Sequence, residues 1–137
     1  MVSFISFIIV LITLLLSSIT DIKKKEVPNV LPQLCLSVGL FLSFFSPHLT
    51  QHIVIMLGCA VFGYVLFYNG VWGGADTRLL MAIGIFSTTQ TIIMYGIWLL
   101  ISMWIAFAVA RVRCKRNVAF VPYMTFAWIM TYASLTF

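Results

Sequence analysis

Residues 79–110 read LLMAIGIFSTTQTIIMYGIWLLISMWIAFAVA, an unbroken run of 32 positions without a charged side chain. The run decides the fold because it is long for one membrane-spanning helix, which needs about 20 residues, and short for two. Its polar interruption, Ser-Thr-Thr-Gln at 87–90, is where a turn between two helices would fall. The number of times this run crosses a membrane therefore fixes the number of spans.

The rest of the chain is equally apolar. Of its 137 residues, 63% are hydrophobic and 8% charged, and the mean hydropathy is +1.14. Soluble domains carry about 25% charged residues, so this composition excludes a soluble fold, and its apolar content excludes disorder. The net charge of +5 does not indicate nucleic-acid binding, since the basic residues form short clusters between apolar runs. We therefore expect one membrane-embedded domain over residues 1–137, with the lipid bilayer as its partner.

The basic clusters favour two crossings for the 79–110 run. Cytoplasmic loops of membrane proteins carry an excess of Lys and Arg, and only two crossings place all eight Lys and Arg of this chain on the cytoplasmic side. The sequence thus predicts an all-α polytopic protein with its N-terminus outside and a first helix that is not a cleavable signal peptide. About six transmembrane helices are expected, the fourth of them short: 2–20, 30–46, 53–69, 73–87, 91–110 and 118–137.

The chain has three carboxylates, so each can be weighed individually. Glu26 lies beside three lysines and is explained as a solvated loop charge. Asp21 alone would be a helix-end residue paired with a lysine, and Asp76 alone would be a helix cap. Both aspartates are nevertheless predicted at the same cytoplasmic edge, where two carboxylates that share one site hold a proton between them. Such a pair suits peptide hydrolysis, because one carboxylate takes a proton from water while the other protonates the carbonyl oxygen or the leaving amine.

The residues around the aspartates have both functional and structural interpretations. Gly73 and Gly74 allow unusual backbone angles and close approach of a substrate, or they form a hinge or a helix contact. Pro28 suits the first turn of the second helix, and Asn29 either starts that helix or hydrogen-bonds across to hold Asp21. The four tryptophans are interpreted as packing or interfacial residues: Trp72, Trp98, Trp104 and Trp128.

Two motifs together resemble the type IV prepilin peptidase family of intramembrane aspartic proteases. They are Asp21 followed by a basic stretch and Pro28-Asn29, and Gly-Gly-Ala-Asp-Thr-Arg-Leu-Leu at 73–80. The family pattern is an Asp shortly before an Ile-Pro-Asn-type tripeptide, and then Gly-x-Gly-Asp followed by a Lys and aliphatic residues. Ala75 stands where the family has its second Gly, and Arg78 stands where Lys is usual. The size resembles the compact peptidases of Flp/Tad-type pilus systems and archaeal preflagellin peptidases.

The resemblance implies removal of the short basic leader from prepilins or pseudopilins at the cytoplasmic face of the bacterial inner membrane. It implies Asp21 and Asp76 as the catalytic pair, with supporting residues around them: Gly73, Gly74, Ala75, Arg78, Pro28 and Asn29. We expect no cofactor and no metal site, because the three cysteines lack metal-ligand spacing. Larger members also methylate the new N-terminus through a region with paired Cys-x-x-Cys. This chain has no room for it, so methyltransferase activity is not expected.

Two other function classes stay open from the sequence. A small proton-coupled transporter or channel would use Asp76 as its coupling residue and would need polar residues along a path to the outer face. A catalytically idle assembly subunit would tolerate replacement of either aspartate by asparagine. A nucleophilic mechanism is disfavoured, because His48 and His52 are predicted on the face opposite to the aspartates.

Overall fold

The computed structural model describes residues 4–24, 27–70, 72–113 and 119–136, which form six α-helices and no strand. The helices are α1 (Phe4–Lys24), α2 (Val30–Ser43), α3 (Leu49–Tyr68), α4 (Gly74–Phe86), α5 (Thr89–Arg113) and α6 (Val121–Thr136). Among the described residues, α1, α3 and α5 are long and apolar enough to cross a membrane, and α2 is a shorter apolar helix. The prediction of an all-α polytopic membrane protein with about six helices is confirmed.

The predicted helix boundaries differ from the observed ones mainly at the turns. The second helix ends at Ser43 rather than at 46, and the third begins at Leu49 rather than at 53, because residues 44–48 form turns between them. Thr89 and Gln90 were predicted to be turn residues, but they begin α5. The helical hydrogen bonds already start here, since the Ile92 amide donates to the Thr88 carbonyl oxygen (2.9 Å). Positions 2, 3, 118 and 137 of the predicted helices lie outside the described residues, as do Lys25 and Glu26.

The helices alternate in direction, so their ends form two distinct faces. At one face α1, α3 and α5 end and α2, α4 and α6 begin; we call it the aspartate end, because Asp21 and Asp76 both lie there. At the opposite end a ring nitrogen of His52 pairs with the Ser87 carbonyl oxygen (3.1 Å), which joins the start of α3 to the end of α4. The run 79–110 therefore contributes to two helices, as the charge pattern predicted.

Helix α4 is short because it is buried in protein. Its 13 residues extend about 20 Å at 1.5 Å per residue, less than the roughly 30 Å hydrocarbon core of a bilayer. It packs against α1, α2 and α3, and seven of its residues are buried: Leu79, Leu80, Ala82, Ile83, Gly84, Ile85 and Phe86. Asp76 lies in its first turn and is half-buried at the aspartate end.

Glycines allow α3 and α4 to approach closely. A Cβ placed on Gly63 would lie 2.7 Å from Cγ2 of Thr77, and one on Gly84 would lie 3.0 Å from the Cys59 sulfur. The Thr77 hydroxyl also donates to the Gly63 carbonyl oxygen (3.0 Å). Because Thr77 follows Asp76 directly, this contact fixes the position of the first turn of α4 against α3.

Candidate active site

Asp21 lies in the last turn of α1 and is held by the start of α6. Its Oδ2 accepts a hydrogen bond from the backbone N–H of Val121 (3.2 Å), and the Phe120 amide also interacts with it. The first N–H groups of a helix have no acceptor within the helix, and the N-terminal end of a helix attracts negative charge. A carboxylate from the first helix thus occupies the free N-terminus of the last.

Asp76 is the third residue of α4 and is held by the start of its own helix. Its Oδ2 accepts the N–H of Gly73 (3.0 Å), and the Thr77 amide donates to the Gly73 carbonyl oxygen (3.3 Å). An acidic side chain that reaches back from this position to the residue before the helix is a known helix-start arrangement. The cap of α4 is therefore Gly73, and Asp76 supports the helix start from its third position rather than as the predicted cap itself.

The fold brings the two aspartates to the same end of the bundle. They come from α1 and α4, which pack against each other, and the Asp21 carboxylate lies close enough to act electrostatically on Asp76. Both side chains are half-buried. Two carboxylates that share one site repel each other when both are ionised, which favours a state with one acid and one base.

Gly73 and Gly74 do not adopt the unusual backbone angles that the sequence suggested. Gly73 is extended (φ −82°, ψ 159°), and Gly70, with φ 69°, is the glycine with positive φ in the described part of the chain. Ala75 lies within α4 and takes a helical conformation, so the step from Gly to Ala there causes no strain. A Cβ on Gly73 would lie 3.4 Å from the Asp76 carboxylate, so the missing side chain leaves open space beside that carboxylate.

The remaining predicted support residues lie near the surface. Arg78 is exposed on α4. Asn29 precedes α2 and makes no side-chain capping hydrogen bond, and the described partners of the Asp21 carboxylate are the amides of Val121 and Phe120 instead. Of the two interpretations of Asn29, the structure therefore favours the helix start. Pro28 lies just before it, also exposed.

Three residues of the site were not expected from the sequence: Trp72, Phe120 and Val121. Trp72 is 5% exposed, and its ring lies 5.1 Å from that of Phe120, centroid to centroid. The sequence signal for its position is Asn69-Gly70, since a glycine with positive φ ends many helices. Gly70 closes α3 by donating to the Phe67 carbonyl oxygen (2.9 Å), and the turn returns the Trp72 amide to the Leu66 carbonyl oxygen (3.4 Å).

Cysteines and metal ligands are separate from this arrangement. Cys35 and Cys59 are buried and free, as predicted for small apolar residues, while Cys114 lies outside the described residues. Within the described ranges, no three His, Cys, Asp or Glu side chains converge where a metal ion could bind.

Comparison with known proteins agrees with the resemblance seen in the motifs. Residues 8–136 match the type IV leader peptidase family, a range that includes both aspartates. A preflagellin peptidase of Methanococcus voltae is 33% identical over 87 residues, which are 58% of this chain and 37% of that relative. The match thus spans little more than a third of the relative's length, and no solved structure matches the chain. Because the family match covers nearly all of the sequence, the chain belongs to the type IV leader peptidase family.

Proposed function

We propose that this chain is an aspartic endopeptidase that removes the short basic leader from type IV prepilins or pseudopilins of the Flp class. The observation that carries the proposal is that Asp21 on α1 and Asp76 on α4 both lie half-buried at the same end of the bundle, on two helices that pack against each other. The family supports leader cleavage, and the relative is named for cleavage of a preflagellin. A single domain in the bacterial inner membrane, with the N-terminus outside and the aspartate end facing the cytoplasm, completes the proposal.

The proposed mechanism uses the proton that the two carboxylates share. The ionised aspartate takes a proton from water, and the resulting hydroxide attacks the scissile carbonyl carbon while the protonated aspartate gives its proton to the carbonyl oxygen. In the second half, the newly protonated carboxyl gives its proton to the leaving amine as the C–N bond breaks. The other carboxylate takes a proton back from a hydroxyl of the tetrahedral intermediate, which leaves the new carboxyl group and restores the starting protonation of the pair. The backbone amides of Val121 and Gly73 hold the two carboxylates in place through both halves.

Charge at the aspartate end suggests how the substrate is recognised. The described basic residues here include Lys23, Lys24 and Arg78, and they repel a basic leader rather than bind it. Recognition then depends on the apolar segment that follows the leader, which can enter the bilayer beside the helices, and on the backbone of the cleavage site. The site therefore takes an extended peptide at the edge of an apolar segment.

Cleavage of a purified prepilin by the purified protein in detergent tests the proposal. Asp21→Asn and Asp76→Asn each keep an oxygen that accepts the amide hydrogen bond but lose the acid–base function, so each is expected to slow cleavage about 10²- to 10⁴-fold. Glu26→Gln is the matched control, since it removes the third carboxylate of the chain and is expected to leave the rate unchanged. Cleavage at the wild-type rate after either aspartate substitution would contradict the proposal and favour an idle assembly subunit.

A further inference from the structure

The indole N–H of Trp72 is a buried donor without an acceptor. The nitrogen is inaccessible and makes no hydrogen bond with any described residue. Buried polar groups in folded proteins are nearly always paired, because an unpaired one loses its bonds to water without replacement. Ser17 Oγ and Tyr95 Oη are also buried without a partner among the described residues, so the place of Trp72 in the fold decides whether its donor has a function.

Trp72 lies between the two segments that hold the aspartates. On one side its chain neighbour Gly73 donates to Asp76 (3.0 Å). On the other side its ring packs on Phe120 (5.1 Å), the residue before Val121, whose amide donates to Asp21 (3.2 Å). The unpaired N–H therefore belongs to a side chain that links both carboxylate-holding segments.

We propose that the Trp72 indole N–H donates a hydrogen bond to a backbone carbonyl oxygen of the substrate beside the bond that is cleaved. The inference deepens the proposed peptidase function and rests on it. A peptide laid between the aspartates brings carbonyl oxygens that have lost their bonds to water, and each needs a donor. An indole donates only, so it cannot take up the proton that the aspartates share.

A neutral donor suits this position better than a cation would. A lysine or arginine here would form an ion pair with the carboxylates and repel the basic leader, whereas an indole does neither. The Trp72 ring packs against the rings of Phe120 (5.1 Å) and Phe62 (6.3 Å), centroid to centroid. A peptide can part such packing without breaking a hydrogen bond, so access to the donor is not opposed by a lost polar contact.

Nuclear magnetic resonance of the indole N–H groups tests the contact directly. The full-length Asp76→Asn protein, labelled with ¹⁵N-tryptophan in detergent micelles, binds a synthetic peptide with a basic leader and an apolar segment but does not cleave it. Trp72→Phe identifies the Trp72 signal by its loss. We expect the peptide to move that indole proton downfield, as a new hydrogen bond does, and to leave the Trp98 indole, already bonded to Ser134 Oγ (2.9 Å), in place.

A measurement of cleavage activity is the second test of the proposed contact. Benzothienylalanine at position 72 keeps the size and aromatic packing of tryptophan but replaces N–H by sulfur, so the fold is preserved where Trp72→Phe destabilises it. We expect kcat/KM to fall about tenfold, the effect of losing one neutral hydrogen bond to the substrate. The same replacement at Trp104, which is 76% exposed on the outer surface of α5, is the matched control and is expected to change nothing.

The outcomes separate this inference from the peptidase proposal. A benzothienylalanine enzyme that cleaves within twofold of the wild type, or a Trp72 signal that does not respond to saturating peptide, overturns the role of the indole while leaving the peptidase intact. A wild-type protein that cleaves no leader overturns the proposed function itself. In that case a Trp72-specific shift still supports the peptide contact.

Discussion

Replacing Gly63 with alanine is expected to slow leader cleavage about tenfold to a hundredfold without touching either aspartate. The new methyl group would lie 2.7 Å from Thr77 Cγ2 and 3.3 Å from Thr77 Cα. Ordinary van der Waals contact begins at 3.4 Å, so the methyl carbon lies 0.7 Å inside that limit. Thr77 is β-branched and its rotation in a helix is restricted, so the first turn of α4 has to move away from α3.

The displacement acts on the proposed chemistry because Asp76 precedes Thr77 in that turn. A shift approaching 1 Å in a reacting group costs about a hundredfold in rate. Stability changes less, since overpacking costs about 1–3 kcal/mol and replacing a glycine within a helix returns about 0.5–1 kcal/mol. The expected signature is therefore a large loss of cleavage with a modest change in the free energy of unfolding.

The assay is single-turnover cleavage of a prepilin, alongside thermal unfolding in the same detergent. Gly58→Ala is the matched control in the same helix, because a Cβ there meets nothing within 4 Å; it is expected to cleave normally. Adding Thr77→Ser to Gly63→Ala removes the clashing methyl group and keeps the hydroxyl that bonds to residue 63, so it should recover part of the rate. If Gly63→Ala and Gly58→Ala cleave equally fast, the contact does not position Asp76 and the reasoning is refuted.

Three further predictions concern packing, the helix start and the reaction product. Gly84→Ala is expected to lower the free energy of unfolding by about 1–2 kcal/mol, since its Cβ would lie 3.1 Å from the Met56 backbone. Gly96→Ala is the control, because a Cβ there meets nothing within 4 Å, and equal melting temperatures of the two variants would contradict the prediction. Asp21→Ala should be about 1 kcal/mol less stable than Asp21→Asn, because the asparagine oxygen still accepts the hydrogen bond from the Val121 amide. Thermal unfolding of the two variants measures the difference. Cleaved prepilin should carry an unmethylated N-terminus even with S-adenosylmethionine present, and a mass increase of one methyl group would show the prediction to be wrong.

The number of helices was predictable from the charges. The basic clusters favoured two helices for the run 79–110, and the structure has two helices there within a total of six. The Asp-containing motifs predicted the family, which the match over residues 8–136 confirms. Both signals are local: each is written within a few neighbouring residues or within one apolar run.

The partners of the aspartates were not predictable in this way. Nothing around Asp21 in the sequence indicates that its acceptor oxygen meets the amide of Val121, because that contact depends on how α1 and α6 pack. The burial of Trp72 has the same origin, since the ring of Phe120 that covers it comes from a distant part of the chain. The prediction of unusual backbone angles at Gly73 failed for a different reason. The missing side chain of Gly73 leaves room beside Asp76, and a sequence does not distinguish this need for space from a need for positive φ.

The hydrogen bond between Asp21 and Val121 also sets an order of events during synthesis. Its two partners are 100 residues apart, so at about 5–20 residues per second the first helix is made several seconds before the amide that holds its carboxylate. A nascent chain with five helices therefore has both aspartates but lacks the amide that holds the Asp21 carboxylate. The proposed peptidase reaches its complete site geometry only once α6 is inserted.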